Sequence, residues 1–93
     1  PKYTSWINGK LVFRDDPMDE VVRKLNRWFN VEITIADREI EKYVYTATFQ
    51  DESIDQILEL LTLSAPIRYR VLQREKENDI FKAKKIVLKK KSN

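Results

Sequence analysis

Residues 11–35 read LVFRDDPMDEVVRKLNRWFNVEITI, and residues 47–71 read ATFQDESIDQILELLTLSAPIRYRV. The two stretches align without a gap at an offset of 36 residues. A fixed offset of this kind indicates a duplicated structural unit, and we predict units at about residues 10–36 and 43–72 within a single domain, 1–93. The matched pairs are Phe13 with Phe49, Asp15 with Asp51, Met18 with Ile54, Asp19 with Asp55, Val21 with Ile57, Val22 with Leu58, Leu25 with Leu61, Val31 with Ile67, Ile33 with Tyr69 and Ile35 with Val71.

The first unit predicts the order strand, helix, strand. Residues 11–13 alternate as in a strand. Asp16 before Pro17 is typical of a helix start, with Asp16 as the N-cap and Pro17 as the first helical residue. Asn30 suits the left-handed end of that helix, and residues 31–35 alternate as a half-buried strand. The predicted inward face of the helix consists of Met18, Val21, Val22, Leu25 and Phe29.

The second unit repeats this order with different end signals. Residues 43–50 are rich in β-forming side chains, and Ser53 with Gln56 forms a predicted capping box. Pro66 ends the helix, and residues 67–71 alternate between apolar and basic side chains. The expected inward side chains are Ile54, Ile57, Leu58 and Leu61 of the helix and Ile67, Tyr69 and Val71 of the strand, whereas Arg68 and Arg70 face water.

Segments outside the two units complete the predicted fold. Asn8 and Gly9 supply the positive φ angles of a tight hairpin. A charged turn at 74–79 leads to a basic C-terminal strand at 80–91, which we expect at a sheet edge with its lysines outward. Clean alternation leaves one face of each sheet in water. The sequence therefore predicts an α+β fold of two βαβ units, a final strand and an N-terminal hairpin, with two helices packed on small sheets.

The composition excludes several kinds of chemistry. The chain has 93 residues with no cysteine and no histidine, which rules out thiolate nucleophiles, imidazole bases and the common zinc sites. No apolar run approaches the roughly 20 residues of a membrane-spanning helix, and no signal-peptide pattern opens the chain, so we expect it to start inside a mature protein. Glycine-rich phosphate loops and nucleophile motifs are lacking. We expect no enzyme activity, catalytic residue, cofactor, metal or small-molecule substrate.

Acidic side chains gather at both predicted helix starts. Negative charge at a helix N-terminus is favoured by about 0.3–1 kcal/mol per group. The spacing of these residues does not match the oxygen ligands of a calcium loop. We therefore interpret them as helix-start residues in preference to a metal or acid–base site. They are Asp15, Asp16, Asp19, Glu20, Asp51, Glu52 and Asp55.

Three apolar side chains are candidate contacts for a partner protein. Leu60 and Leu63 match Lys24 and Arg27 at the 36-residue offset, so the second helix is apolar around more of its circumference than the first. Either another element covers the two leucines, or they form an exposed patch of the kind that marks a partner site. Trp6, before the predicted hairpin, either covers a core edge or belongs to a contact surface.

The net charge of +3 is concentrated near the C-terminus. Six lysines lie there, which makes phosphate binding a candidate function: Lys82, Lys84, Lys85, Lys89, Lys90 and Lys91. An RNA-binding sheet would need aromatic side chains on its wet face, and a KH-type domain would need a GXXG loop. The sequence has neither pattern, so nucleic acid is not the expected partner.

Several segments resemble the C-terminal domain of FecR-type anti-sigma regulators, especially those of the Bacteroidetes. In the first half they are WINGKLVF at 6–13, PMDEV at 17–21 and LNRWFNV at 25–31. In the second half, FQDESI at 49–54 followed by Ile57 and Leu58 resembles the later part of that family. The resemblance extends from about Trp6 to Val71, while residues 73–93 are longer and more basic than the family pattern.

This resemblance implies a fold similar to the short N-terminal domain of secretins and TonB-dependent receptors. It implies a periplasmic domain of an inner-membrane protein that crosses the membrane once and holds a sigma factor through its cytoplasmic part. The implied partner is the signalling domain of an outer-membrane TonB-dependent transporter, in the regulation of iron or glycan uptake. We expect docking at an open sheet edge or through the second helix, with Trp6, Leu60 and Leu63 as anchors.

Two other functions remain alternatives. Similar paired units oligomerise in secretins, so the chain is alternatively an oligomerisation module, which predicts large assemblies in size-exclusion chromatography. Nucleic-acid binding through the C-terminal lysines predicts affinity that falls steeply with added salt.

Overall fold

The computed structural model describes residues 9–72 and 84–91. These residues form an α+β fold, which confirms the predicted class. The two helices begin 36 positions apart, as the sequence offset predicts. In chain order the elements are β1 (Leu11–Pro17), α1 (Met18–Phe29), β2 (Glu32–Ile35), a short 3₁₀ helix (Arg38–Lys42), β3 (Val44–Phe49), α2 (Ile54–Ser64), β4 (Ile67–Val71) and β5 (Lys85–Lys90).

The strands form two sheets. One sheet is an antiparallel pair of β1 and β3. The other has the order β2-β5-β4, in which β5 runs parallel to β2 and antiparallel to β4. The two strands that flank each helix therefore belong to different sheets. Each helix joins one sheet to the other, and the two halves of the chain are interleaved.

The prediction that the last strand lies at a sheet edge was wrong, because β5 is the central strand of its sheet. Ile86 is aligned with Ile33 on one side and with Val71 on the other. Leu88 is likewise aligned with Ile35 and Tyr69. Alternating lysines predict that a strand has one wet face, but they do not predict whether a neighbour flanks it on each side.

The core lies between the helices and the inner faces of both sheets. Its aromatic part comes from the β1–β3 pair, where the rings of Phe13 and Phe49 lie 6.1 Å apart and those of Tyr45 and Phe49 lie 6.5 Å apart. Ring pairs at such distances stabilise a core beyond the area that they bury. The remaining buried hydrophobic residues are Leu11, Met18, Val21, Val22, Leu25, Ile33, Ile40, Ile57, Leu58, Leu61, Ile67, Ile86 and Leu88.

Three helix-end predictions can be compared with the structure. Asn30 has a φ of 55° in the left-handed region, as predicted, and its N–H donates to the carbonyl of Asn26. The capping box of Ser53 and Gln56 is also confirmed. The prediction that Asp16 caps α1 was wrong: Pro17 is the N-cap residue, and the Asp16 carboxylate lies 2.9 Å from the Lys24 Nζ instead. The strand before α1 extends through Pro17, which leaves Asp16 outside the helix end.

Two further predictions concern the ends of the chain. Val71 lies on the inner face of its sheet, as expected, but 43% of it is exposed because it ends an edge strand. Gly9 has a φ of +76°, in the left-handed region, but residues 6–8 of the predicted hairpin lie outside the described residues, so the hairpin stays a prediction. The predicted charged turn at 74–79 and residues 80–83 of the predicted last strand also lie outside them. Among the described helices, none is long and apolar enough to cross a membrane.

Candidate protein-binding surface

The outward side of α2 carries two exposed leucines. Leu60 is 39% exposed and Leu63 is 81% exposed. Because they are three positions apart on a helix, their side chains are neighbours on its surface. Between the two alternatives left by the sequence, the structure therefore places both leucines in solvent. Trp6, the third predicted anchor, lies outside the described residues.

Helix α2 is held against the second sheet on the side away from these leucines. Ile57, Leu58 and Leu61 are buried there. At the flank of the helix, the Tyr69 hydroxyl donates to the Glu59 carboxylate at 2.9 Å. This hydrogen bond and, to a smaller extent, burial raise the pKa of Tyr69. The inward and flanking contacts fix the rotation of α2 about its axis, and that rotation directs Leu63 to water.

The corresponding positions of α1 carry charge. Lys24 lies between the Asp16 carboxylate at 2.9 Å and the Phe13 ring, whose centroid is 5.7 Å from its Nζ. Arg27, in the last turn of α1, stands at the position equivalent to Leu63. The same structural unit thus carries cations at these positions in its first copy and exposes leucines in its second copy.

A second surface, which the sequence analysis did not single out, is the outer face of the β2-β5-β4 sheet. Four exposed cationic residues lie on it: Arg68, Arg70, Lys85 and Lys89. Arg68 is aligned with Lys89 across neighbouring strands, and Lys85 is aligned with Glu32. The sequence contained the signal, since these residues alternate with buried ones. The position of β5 between β2 and β4, which brings them together, was not predicted.

Three of the acidic residues predicted at the helix starts, Asp15, Asp19 and Asp55, have defined places in the fold. Asp15 occupies the left-handed region with a φ of 54°, and its N–H donates to the Thr46 hydroxyl at 2.8 Å. Asp19 lies in the first turn of α1, and Asp55 in that of α2. Asp55 also lies 3.7 Å from the Lys84 Nζ. Within the described part of the chain, no group of three or more candidate metal ligands occurs.

Taken together, the described surface offers one apolar patch on a rigid helix and one cationic sheet face. An apolar side chain that a helix holds in water is suited to burial against another protein. A cationic face is suited to an acidic partner surface, and it steers association. Both features favour binding of a macromolecule.

The family model and the similar solved structures agree on one family. The family model described as "FecR, C-terminal" matches residues 10–81. Two crystal structures of a protein described as an anti-sigma factor, from Parabacteroides distasonis ATCC 8503, are also similar. One has a TM-score of 0.74 at 28% identity and the other 0.70 at 29% identity. The comparison with curated proteins finds no match.

The extent of the two kinds of match differs. Each structural match covers 96% of this chain but 37% of the other chain, so the sequence spans little more than a third of that protein's length. The family match begins just before β1 and extends beyond β4. Because it takes in both helices and most of the residues, this chain belongs to the FecR C-terminal family of anti-sigma regulator domains.

Proposed function

We propose that this chain is a non-catalytic docking module of a transmembrane anti-sigma regulator, and that it senses the signalling domain of an outer-membrane TonB-dependent transporter. The observation that carries this proposal is the exposure of Leu60 and Leu63 on α2. Full burial of one leucine contributes about 1.5–3 kcal/mol, and about 1.4 kcal/mol corresponds to a tenfold change in affinity. Leu63, which is 81% exposed, has most of this energy to gain on docking, and Leu60, which is 39% exposed, has the smaller part.

The comparisons support a place in a larger regulator. The family is that of anti-sigma regulators, and the similar solved protein is described as an anti-sigma factor with a longer chain. In this proposal the domain lies in the periplasm and the regulator crosses the inner membrane once. A cytoplasmic part holds the sigma factor, so docking at α2 acts on the sigma factor indirectly. Trp6 is proposed as a third anchor for the partner.

The proposed mechanism needs no chemistry within the domain. A partner that binds one state of the regulator more tightly than another shifts the equilibrium between them by its difference in affinity. Leu60 and Leu63 supply that difference if they are covered only in the docked state. The cationic sheet face contributes to association rate, and its contribution weakens with salt.

The test is a calorimetric titration of the 93-residue chain with the transporter's signalling domain. The variant L60K/L63R gives α2 the residue types that α1 carries at the equivalent positions, Lys24 and Arg27. We expect saturable binding that the double variant weakens at least tenfold. Val44→Thr is the matched control, because Val44 is another large hydrophobic residue exposed to solvent, at 60%.

Two results would count against the proposal. Equal affinity of the wild-type chain and L60K/L63R would remove the leucines from the interface, provided that both chains unfold at the same temperature. Large assemblies of the chain alone in size-exclusion chromatography, lost in L60K/L63R, would indicate that α2 is an oligomerisation surface as in secretins.

A further inference from the structure

The outer edge of β2 is closed by a side chain. The Ile33 N–H donates to the Asn26 Oδ1 at 2.8 Å, and the Asn26 Nδ2 donates to the Ile33 carbonyl at 3.2 Å. The carboxamide of Asn26 thus pairs with the backbone as a neighbouring strand would pair. An exposed strand edge is a template for another chain, and Asn26 blocks this template at the middle of β2.

The equivalent position in the second unit is not blocked. Thr62 stands where Asn26 stands in the first unit, and Tyr69 stands where Ile33 stands. The Thr62 hydroxyl donates to the Glu59 carbonyl at 2.7 Å, inside its own helix. The side chain that closes the first edge therefore has no counterpart at the edge of β4 within the described residues.

The hydrogen bonds between β4 and β5 show which backbone groups of β4 point away from β5. The Lys91 N–H donates to the Pro66 carbonyl, and the Leu72 N–H donates to the Lys85 carbonyl. In an antiparallel pair such residues alternate with residues whose N–H and C=O point to the other side. The backbones of Tyr69 and Val71 therefore point away from β5, and β4 has no other neighbouring strand in the described part of the chain.

Side chains on this edge differ between the two faces of the sheet. Arg68 and Arg70 lie on the outer face, and neither takes part in an ion pair within the described residues. Arg68 is also aligned with Lys89, a like-charge pair that is unfavourable across strands. On the inner face, Val71 is 43% exposed. An acidic side chain of a bound segment would neutralise charge beside Arg68 and Arg70. An apolar side chain of the same segment would cover the exposed part of Val71.

We propose that the open edge of β4 accepts an extended segment of a partner protein by strand addition. Backbone hydrogen bonds to Tyr69 and Val71 hold the segment. Its side chains alternate between acidic residues beside Arg68 and Arg70 and apolar residues beside Val71. The edge is proposed as a second contact of the same signalling partner, so this inference rests on the proposed docking function. Its recognition chemistry is separate from that of Leu60 and Leu63.

A protein segment fits this edge better than a nucleic acid. Single-stranded nucleic acids are held by stacking of bases on aromatic side chains beside a cationic groove. The described residues on the outer face are the four cationic residues with Glu32, Thr34 and Val87, and none of them is aromatic. Tyr69 faces the inner side of the sheet and donates its hydroxyl to Glu59.

The test uses a defined peptide, an N-acetylated octamer of alternating glutamate and valine, added to the isotopically labelled 93-residue chain. We expect the amide signals of Tyr69 and Val71 to shift and their hydrogen exchange to slow at least tenfold. The Ile33 amide, already bonded to Asn26, should not respond. The same peptide with lysine in place of glutamate should bind at least tenfold more weakly.

Two variants separate the backbone contribution from the charge contribution. Val71→Pro removes one outward N–H while the bonds to β5 remain, and an edge strand tolerates proline at such a position. We expect it to weaken the peptide at least fivefold. R68E/R70E should weaken it at least tenfold, whereas Arg14→Glu, an exposed residue of β1, should not change its binding.

Each contrary result has a distinct meaning. If the glutamate–valine peptide leaves the Tyr69 and Val71 amides unchanged at millimolar concentration, the edge proposal is overturned, even when the signalling domain binds at α2. If a thymidine oligonucleotide shifts the outer-face signals and the peptide does not, the cationic face is a nucleic-acid surface. If the peptide protects the edge but the signalling domain does not bind, the edge proposal stands and the proposed function fails.

Discussion

Val12 and Thr48 lie opposite each other in the β1–β3 pair, and they occupy the same position of the 36-residue offset. The neighbouring aligned pairs, Leu11 with Phe49 and Phe13 with Ala47, are exchanged by that offset. A local pseudo-two-fold axis therefore passes between Val12 and Thr48. The two units meet at this axis. The surfaces that it relates differ where equivalent residues differ, as Leu60 and Leu63 of α2 differ from Lys24 and Arg27 of α1.

The central position of β5 predicts where truncation destabilises the chain most. Ile86 is fully buried in β5, whereas Val71 ends the neighbouring edge strand and is 43% exposed. We expect Ile86→Ala to lower the free energy of unfolding by about 2–5 kcal/mol. Val71→Ala should lower it by less than about 1 kcal/mol. Urea unfolding followed by circular dichroism measures both, and similar losses would contradict the strand order β2-β5-β4.

Asn26 is predicted to stabilise the β2 edge. Asn26→Ala removes two hydrogen bonds to the Ile33 backbone, and we expect a loss of about 1–3 kcal/mol in the free energy of unfolding. Hydrogen exchange of the Ile33 amide should accelerate in the same variant. Thr62→Ala at the equivalent position is the control, and Tyr69 exchange should not change in it. An unaltered Ile33 exchange rate in Asn26→Ala would show that the carboxamide does not close the edge.

The end of α1 depends on a left-handed residue. Asn30 has a φ of 55°, which alanine adopts only with strain and glycine adopts freely. Asn30→Ala should therefore lower the free energy of unfolding by about 1 kcal/mol, while Asn30→Gly should leave it unchanged or raise it slightly. Thermal and urea unfolding of the two variants give the comparison. Equal destabilisation by both would show that the Asn30 side chain, and not its backbone angle, matters.

Alkaline pH should weaken the fold partly through Tyr69. Its pKa is raised in the folded chain, first by the hydrogen bond to Glu59 and then by burial. The unfolded chain therefore loses this proton at lower pH than the folded chain does. The associated stabilisation is complete below the ordinary tyrosine pKa of about 10 and is lost as pH rises through the folded value.

The variant Tyr69→Phe isolates this contribution. As pH rises above the ordinary tyrosine pKa of about 10, it should show a smaller fall in stability than the wild-type chain. Tyr45, whose pKa is raised mainly by burial, keeps its own contribution in both chains. Urea unfolding at a series of pH values measures the difference, and an identical pH dependence would remove Tyr69 from this effect.

The sequence predicts the parts of this fold that depend on local patterns. Met18, Val21, Val22 and Leu25 recur with helical spacing, and Ser53 with Gln56 meets the backbone requirements of a helix start, so both helices are predicted closely. The prediction that Asp16 caps α1 was wrong because β1 continues through Pro17. That extension depends on pairing with β3, which the helix-start propensity of Asp16 and Pro17 does not take into account. The predicted edge position of β5 was wrong for a related reason, because the alternation of residues within one strand does not show which other strands pair with it.

The candidate surfaces were likewise predictable from the sequence only in part. The excess of apolar residues at Leu60 and Leu63 is visible in the repeat, but only the rotation of α2 on its sheet decides that they are exposed. The cationic outer face and the open edge of β4 required the strand order, because Arg68 and Lys89 come from strands that the sequence did not place together.

The most direct test of the docking account is a methyl NMR titration of the labelled chain with the transporter's signalling domain. We predict that the methyl signals of Leu60 and Leu63 shift or broaden on binding. Those of Leu25, which is buried in α1, and of Val44, which is exposed on β3, should stay in place. Saturable binding that leaves the Leu60 and Leu63 signals unchanged would contradict the claim that this chain docks through α2.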